Sequence, residues 1–345
     1  MSGPTGVAPD AQVASSTGKG FRPGPLGLTP YTIARISEDP RSAGGDRRLR
    51  RVIEIGLRRN WTIKKVAAMT TEAIETQLRR YAVAHSRERF LTLAEGRASA
   101  WSVSEVWLAH DPITCHGKEE DFLGLAACEL WKRYLPDRPS IEMIDDWMQE
   151  GYFHIEGKRT ADACDVWWRV WTTLRPRFTP AMVTMNGTAP IFRGFQSIFN
   201  WSQDFEMHLG NAAIKDLRYA AVGRRYCTEW IAQFRGEDDR MQVSFHRALA
   251  RFLFRLGEVD NAAATLHTIV EQWPGNIWGY VALADAYSHL FRSERHLPLD
   301  LEQAASFLRR ALALPGLDRH DRETLMNRLA EVGARAQGGD SDARE

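Results

Sequence analysis

Asp204, His208 and Asn211 stand four and seven residues apart in FNWSQDFEMHLGNA, the spacing that places three side chains on one face of a helix. An aspartate and a histidine one turn apart can share a metal ion or pair as acid and base. Either use needs further ligands from another helix. No HExxH, no DxD-type cluster and no second histidine at ligand spacing supplies them. The expectation is therefore a polar pair hydrogen-bonded between stacked helices, beside the apolar stripe of Trp201, Phe205 and Leu209. No catalysis, metal or other cofactor is expected. Metal-dependent chemistry at Asp204 and His208 stays as a less favoured alternative.

A second chemistry is offered by charge. Between Arg41 and Lys65 there are nine Lys/Arg against two acidic residues, Asp46 and Glu54, in a chain of net charge +1. Arg47, Arg48, Arg50, Arg51, Arg58, Arg59, Lys64 and Lys65 could neutralise phosphates and so hold nucleic acid. The plainer reading is a solvated face of an amphipathic helix whose apolar side carries Leu49, Val52, Ile53, Ile55 and Leu57. Residues 61–69 and 71–83 then resemble a helix-turn-helix in length, with Thr70 or Thr71 as N-cap and Gln77, Arg79 and Arg80 available to a groove. Glu72 and Glu75 sit where phosphates would lie, which favours a helical cap over a DNA reader. Glycine-rich phosphate loops are absent, because GGD at 44–46 follows no strand and lacks the required lysine.

The elements that position these side chains are helical. Residues 243–276, VSFHRALARFLFRLGEVDNAAATLHTIVEQWPGN, read as a helix hairpin: Leu249, Ala250 and Leu253 on a first helix, Gly257 at the turn, Ala262, Leu266 and Ile269 on a second, Pro274 at the end. Small residues at 250 and 262 let two antiparallel helices approach, and such a hairpin buries its apolar face only by stacking on neighbours. The pattern continues in Tyr280, Leu283, Ala284 and Tyr287, then Ala304, Leu308 and Ala311. Ala250 and Ala262 are 12 residues apart, Ala284 and Ala304 20, so this second turn is eight residues longer, around FRSERHLPLD. Trp147, Gly151, Ala163, Trp167 and Val170 form a degenerate third copy, and residues 195–211 and 217–236 continue the array as irregular hairpin helices.

These hairpins resemble those of tetratricopeptide repeats. The stretches GKEEDFLGLAACELWKRYLPDRPSIEMIDDWMQEGY, GFQSIFNWSQDFEMHLGNA, RRYCTEWIAQF and PGNIWGYVALADAY further resemble an uncharacterised family of bacterial and archaeal tetratricopeptide-like proteins, over roughly residues 90–318. Some members of that family carry a terminal SEC-C zinc motif. This chain has no CPCGSG-like segment, so the resemblance implies no zinc here. It implies helical repeats and brings no catalytic residues.

The expected fold is all-α, a right-handed α-α superhelix of tetratricopeptide-like hairpins over residues 119–336. A disordered tail at 1–27, poor in large apolar residues, and a small basic helical region at 28–118 precede it, and a polar tail at 337–345 follows. The expected function is a scaffold for a protein or peptide partner. By repeat register the groove would be lined by His246, Arg247, Tyr280 and Leu283, with Trp147 and Glu150 further along. The alternative is a nucleic-acid-associated regulator in which the basic region contacts nucleic acid and the repeats sense a partner.

Trp167 and Trp171 share a face that should be core, so Trp168 points elsewhere. The loop at 179–194, with Met182, Met185, Ile191 and Phe192, either plugs a hydrophobic gap or fills part of the groove; apolar loop residues most often fold back onto the nearest core. Cys115, Cys128, Cys164 and Cys227 form no CxxC pair and suggest neither a zinc ribbon nor a disulfide framework. No apolar run is long enough for a membrane span, and no leader is evident, so a soluble cytoplasmic protein is expected.

Overall fold

The computed structural model describes residues 30–38, 60–192, 194, 197–289 and 297–342. The expected N-terminal tail, the six arginines from Arg47 to Arg59 and most of the FRSERHLPLD insertion lie outside the described residues. Among the described residues every regular element is a helix, and no helix is long and apolar enough to cross a membrane. The chain divides into two compact units, residues 1–140 and 141–345.

The N-terminal unit contains α1 (Pro30–Glu38), α2 (Ile63–Ala67), α3 (Thr71–Arg80), α4 (Arg87–Ala94), α5 (Trp101–His110) and α6 (Asp121–Tyr134). Helix α6 is its centre and packs against α2, α3 and α5. The starts are set by side-chain caps: Thr62, Thr70 and Ser86 each accept the N–H of the residue three positions on, which satisfies one otherwise orphaned donor. Arg133 on α6 then ties down the turn between α2 and α3 by donating to Met69 O at 2.8 Å and to Thr71 Oγ1 at 3.1 Å. Glu119 gathers Asn60, Trp61 and Tyr81, with the Trp61 Nε1 donating at 2.6 Å. These three bonds hold its carboxyl below the usual carboxylate range.

His85 lies inside this unit, its side chain 1% exposed, stacked on Tyr134 and edge-on to Phe90 and Trp107. Neither ring nitrogen has a hydrogen-bond partner. Burial depresses its pKa below the usual 6.5, with Arg79 and Arg89 adding to the effect and Glu75, 3.7 Å away, opposing it. A depressed histidine contributes stability that is full above the unfolded pKa and is lost as pH falls through the folded one. Thermal unfolding of the full chain from pH 7.5 to 5.5 is expected to show the N-terminal transition falling with pH, and His85→Leu is expected to flatten that dependence. An unchanged slope in the variant would show that other groups carry it.

The C-terminal unit is a series of hairpins. Helix α7 (Ile141–Glu156) pairs with α8 (Thr160–Leu174), α9 (Ile198–Ala213) with α10 (Arg218–Gln233), α11 (Asp239–Leu256) with α12 (Val259–Gln272), and α13 (Ile277–Ser288) with α14 (Leu301–Leu312). Helix α15 (Arg319–Asp342) closes the series on α14. The result is an all-α helical-repeat array. Its register follows the small residues: Ala163, Ala262 and Ala304 are 0% exposed and Ala250 and Ala284 1%. Helix α11 stops at Gly257, whose φ of +81° is a left-handed conformation that a side chain would strain. Although α13 and α14 are separated by a much longer connection, they pack as closely as the other pairs, so the insertion lengthens a turn without breaking the hairpin.

The loop after α8 folds back onto the core. Met185 and Phe192 are buried. Met185 Sδ accepts the Ser202 hydroxyl at 3.1 Å, and Gln233 Nε2 donates to Thr179 O and Met182 O. Polar groups of the loop are thus satisfied by α10 while its two apolar side chains plug the space beside α9.

Candidate functional site

Because each hairpin is followed by another in the same sense, the first helices of successive hairpins touch: α9 meets α11, α11 meets α13, and α13 meets α15. A groove of about 380 Å³ opens along this inner layer, lined by Glu206, Gly210, Asn211 and Ile214 from α9 and its end, by Ser244, Arg247, Ala248, Ala250, Arg251, Phe254 and Arg255 from α11, by Leu266 from α12, and by Ala282, Asp285 and Ala286 from α13. Small side chains at Gly210, Ala248, Ala282 and Ala286 leave the space open.

Helix α11 projects Arg247, Arg251 and Arg255 into the groove, four residues apart and so one above another along the helix. Their situations differ. Arg251 is paired with the Glu206 carboxylate, whose side chain is 14% exposed. Burial raises the Glu206 pKa, against the pull of Arg251 and Arg247. Arg255 reaches Ala213 O at the end of α9. Arg247 makes no hydrogen bond and no ion pair among the described residues; its guanidinium lies 5.0 Å from the centre of the Trp278 ring. Burial lowers its pKa, while Asp285 and Glu206 counter that.

Asp285 is the acidic wall opposite. It is 6% exposed, and its Oδ1 is ion-paired with Arg328 Nη1 on α15 at 3.6 Å. Burial pushes its carboxyl up to about 6, with Arg328 and Arg247 pulling the other way and Glu331 adding to the rise. Among the described residues the groove therefore holds one cation, Arg247, without a hydrogen-bonded acceptor, and an acid, Asp285, paired across to α15.

Of the residues expected from repeat register, Arg247 lies in this groove. Leu283, 0% exposed, and Tyr280, 4% exposed with its hydroxyl on Pro274 O, are core residues and have no surface to offer a partner. The correction has a simple cause: positions 280 and 283 face their own hairpin's second helix, and the inner face is one step round, at 282, 285 and 286. His246 also faces away from the groove. It packs edge-on to Trp273, bonds through Nδ1 to Gln242 O at 2.8 Å and lines a separate uncharged hollow with Thr228, Asn261 and Thr265. Trp147 is buried beneath Arg169, whose guanidinium sits 3.7 Å from the ring centre. Glu150 is exposed beside His154. Neither lines the groove. Arg251, Arg255, Glu206 and Asp285 were not anticipated, although the i, i+4, i+8 arginines and the lone acid in IWGYVALADAYS are both visible in the sequence.

Asp204 and His208 each turn to a side chain on another helix. Asp204 Oδ2 accepts the Tyr152 hydroxyl at 2.7 Å from α7, and His208 leans on Trp167 with its Nδ1 unbonded. Burial lowers the His208 pKa despite Asp204. Among the described residues no group of three His, Cys, Asp or Glu side chains could hold a metal ion. Asn211, the third member of that helix face, lines the groove instead. Of the basic segment only Lys64 and Lys65 are described, exposed on α2, with Lys65 Nζ on Asn60 O at 2.9 Å. Trp168 lies half-buried under Arg225, 5.1 Å from its ring centre and away from the groove. The four cysteines are buried, separate thiols. Compared with family profiles, curated proteins and solved structures, the chain matches none of them.

Proposed function

We propose that the chain is a non-catalytic scaffold of the tetratricopeptide-like kind, holding a peptide segment of a protein partner on the inner layer of its C-terminal helices. The observation that supports this is the groove formed by three successive first helices, α9, α11 and α13, with charged side chains, Arg247 among them, directed into it. A groove preformed by packed helices binds a segment with little ordering cost on its own side.

Selection of a random-peptide phage library against the full chain tests this. Peptides recovered from wild type are expected to lose binding by about tenfold or more in Ser244→Trp, since Ser244 is exposed and lines the groove, so a bulky ring there fills it without disturbing the core. Recovery of no peptide, or binding indifferent to Ser244→Trp, would reject the reading.

A further inference from the structure

The inner layer carries two unlike rows of side chains on neighbouring helices. On α9, Phe199, Met207 and Ile214 stand eight and seven residues apart, about two turns each, and so share one line along the helix. They are 36, 48 and 62% exposed, while the other side of the same helix buries Trp201, Phe205 and Leu209 completely. A helix apolar on both sides has a second surface to cover. On α11 the exposed line is basic. From Arg240 to Leu256 that helix holds four arginines and no acidic residue, and Arg240, Arg247, Arg251 and Arg255 follow the line of Ser244 at intervals of seven, four and four. The rows lie side by side. Glu206 pairs with Arg251, Gly210 brings α9 against the same guanidinium, and Arg255 Nη1 donates to Ala213 O at 3.5 Å, with Ile214 next to it lining the groove. These contacts come in the same order along both helices, so the two rows run in the same direction.

The acids of α9 and α13 are engaged within the protein: Asp204 with Tyr152, Glu206 with Arg251 and Asp285 with Arg328. Arg240 and Arg247, by contrast, make no hydrogen bond and no ion pair among the described residues. The layer thus keeps positive charge in surplus beside an exposed apolar row. We infer that the occupant of the groove is an acidic amphipathic helix of a partner protein. Its apolar edge lies on Phe199, Met207 and Ile214, and its carboxylates lie along the α11 arginines. Rows that repeat every one or two helical turns suit a helix, whose side chains at i, i+4 and i+7 follow such a line. An extended segment sends alternate side chains to opposite sides and meets only one row with each face. A nucleic-acid backbone would satisfy the arginines but has nothing to lay on the apolar row. This inference rests on the groove reading above, and specifies the chemistry of its occupant.

The probe is a synthetic peptide of about 18 residues, roughly five helical turns, with leucines along one edge, glutamates along the next and alanines elsewhere. Its binding to the full chain is followed by fluorescence anisotropy. It is expected to bind about tenfold or more tighter than either of two controls, a counterpart with lysine for glutamate and an isomer of the same composition in scrambled order. Met207→Glu is expected to weaken the probe about tenfold, and Arg240→Glu about threefold or more. Both positions are exposed, so neither change disturbs the core. Arg240→Glu should also narrow the gap between the glutamate and lysine peptides, which a loss of fold would not do. Equal binding of the three peptides, or a probe indifferent to both variants, would overturn this inference. So would a probe that fails to bind while library peptides still depend on Ser244, which leaves the groove reading standing. Tighter binding of an oligouridylate than of the probe, lost in Arg240→Glu, would overturn it by assigning the arginines to phosphates. Recovery of no library peptide together with no binding of the probe would overturn both readings.

Discussion

Trp167→Ala is expected to destabilise the C-terminal unit by about 4 kcal/mol, while Trp168→Ala, one residue on, costs about 1 kcal/mol or less. The two side chains differ only in the direction the helix gives them. Trp167 is 0% exposed, donates its indole N–H to Met148 O at 3.0 Å and packs edge-on to Tyr152 and Phe205 at 4.9 and 6.1 Å between ring centres. It also fills the space opposite Gly151, where a Cβ would lie 2.0 Å from its Nε1. Removing it leaves an aromatic-sized cavity between α7, α8 and α9 and takes a second donor from a helical carbonyl, with the cavity the larger loss. Trp168 is half-buried and, among the described residues, has the Arg225 guanidinium as its ring partner. Urea unfolding of the two variants, followed by far-UV circular dichroism, measures the difference. Equal losses would mean that the α7–α8 hairpin is packed through a different face of α8.

This contrast was legible in the sequence, and its reason shows how far sequence carries the fold. Gly151 opposite Trp167, Ala250 opposite Ala262 and Ala284 opposite Ala304 are volume relations within one hairpin, so residue size and spacing state them directly. The lengthened turn between α13 and α14 was equally readable, because an insertion shifts the small residues by a countable amount. The groove was not. Hairpin register fixes which side of a first helix meets its own second helix, and that side holds Leu283 and Tyr280. Which of the remaining faces becomes the inner layer depends on contacts with first helices about 40 residues away, such as Arg251 with Glu206. The hydrogen-bond partner of Asp204 was illegible for the same kind of reason: Tyr152 lies on α7, and no local spacing announces it.

The pair that defines the groove wall, Arg251 with Glu206, makes the remaining prediction. Arg251→Met is expected to cost about 2 kcal/mol at pH 7.5, because it leaves a mostly buried carboxylate without its donor. Glu206→Gln combined with Arg251→Met should recover more than half of that, since a neutral amide in the same place no longer demands a cation; the cycle isolates the pair from the packing of the arginine stem. The pH dependence separates charge from shape. Burial already raises the Glu206 pKa, and Arg251 and Arg247 are what hold it down, so loss of Arg251 raises it further. A carboxyl raised in the folded state carries its penalty in full above the folded pKa and sheds it as pH falls toward the unfolded value. The deficit of Arg251→Met against wild type should therefore shrink from pH 7.5 to pH 5, and the double variant should show no such trend. A deficit that stays constant with pH would mean that Arg251 supports α9 through the packing of its guanidinium on Gly210 and Phe252, with the ion pair contributing little.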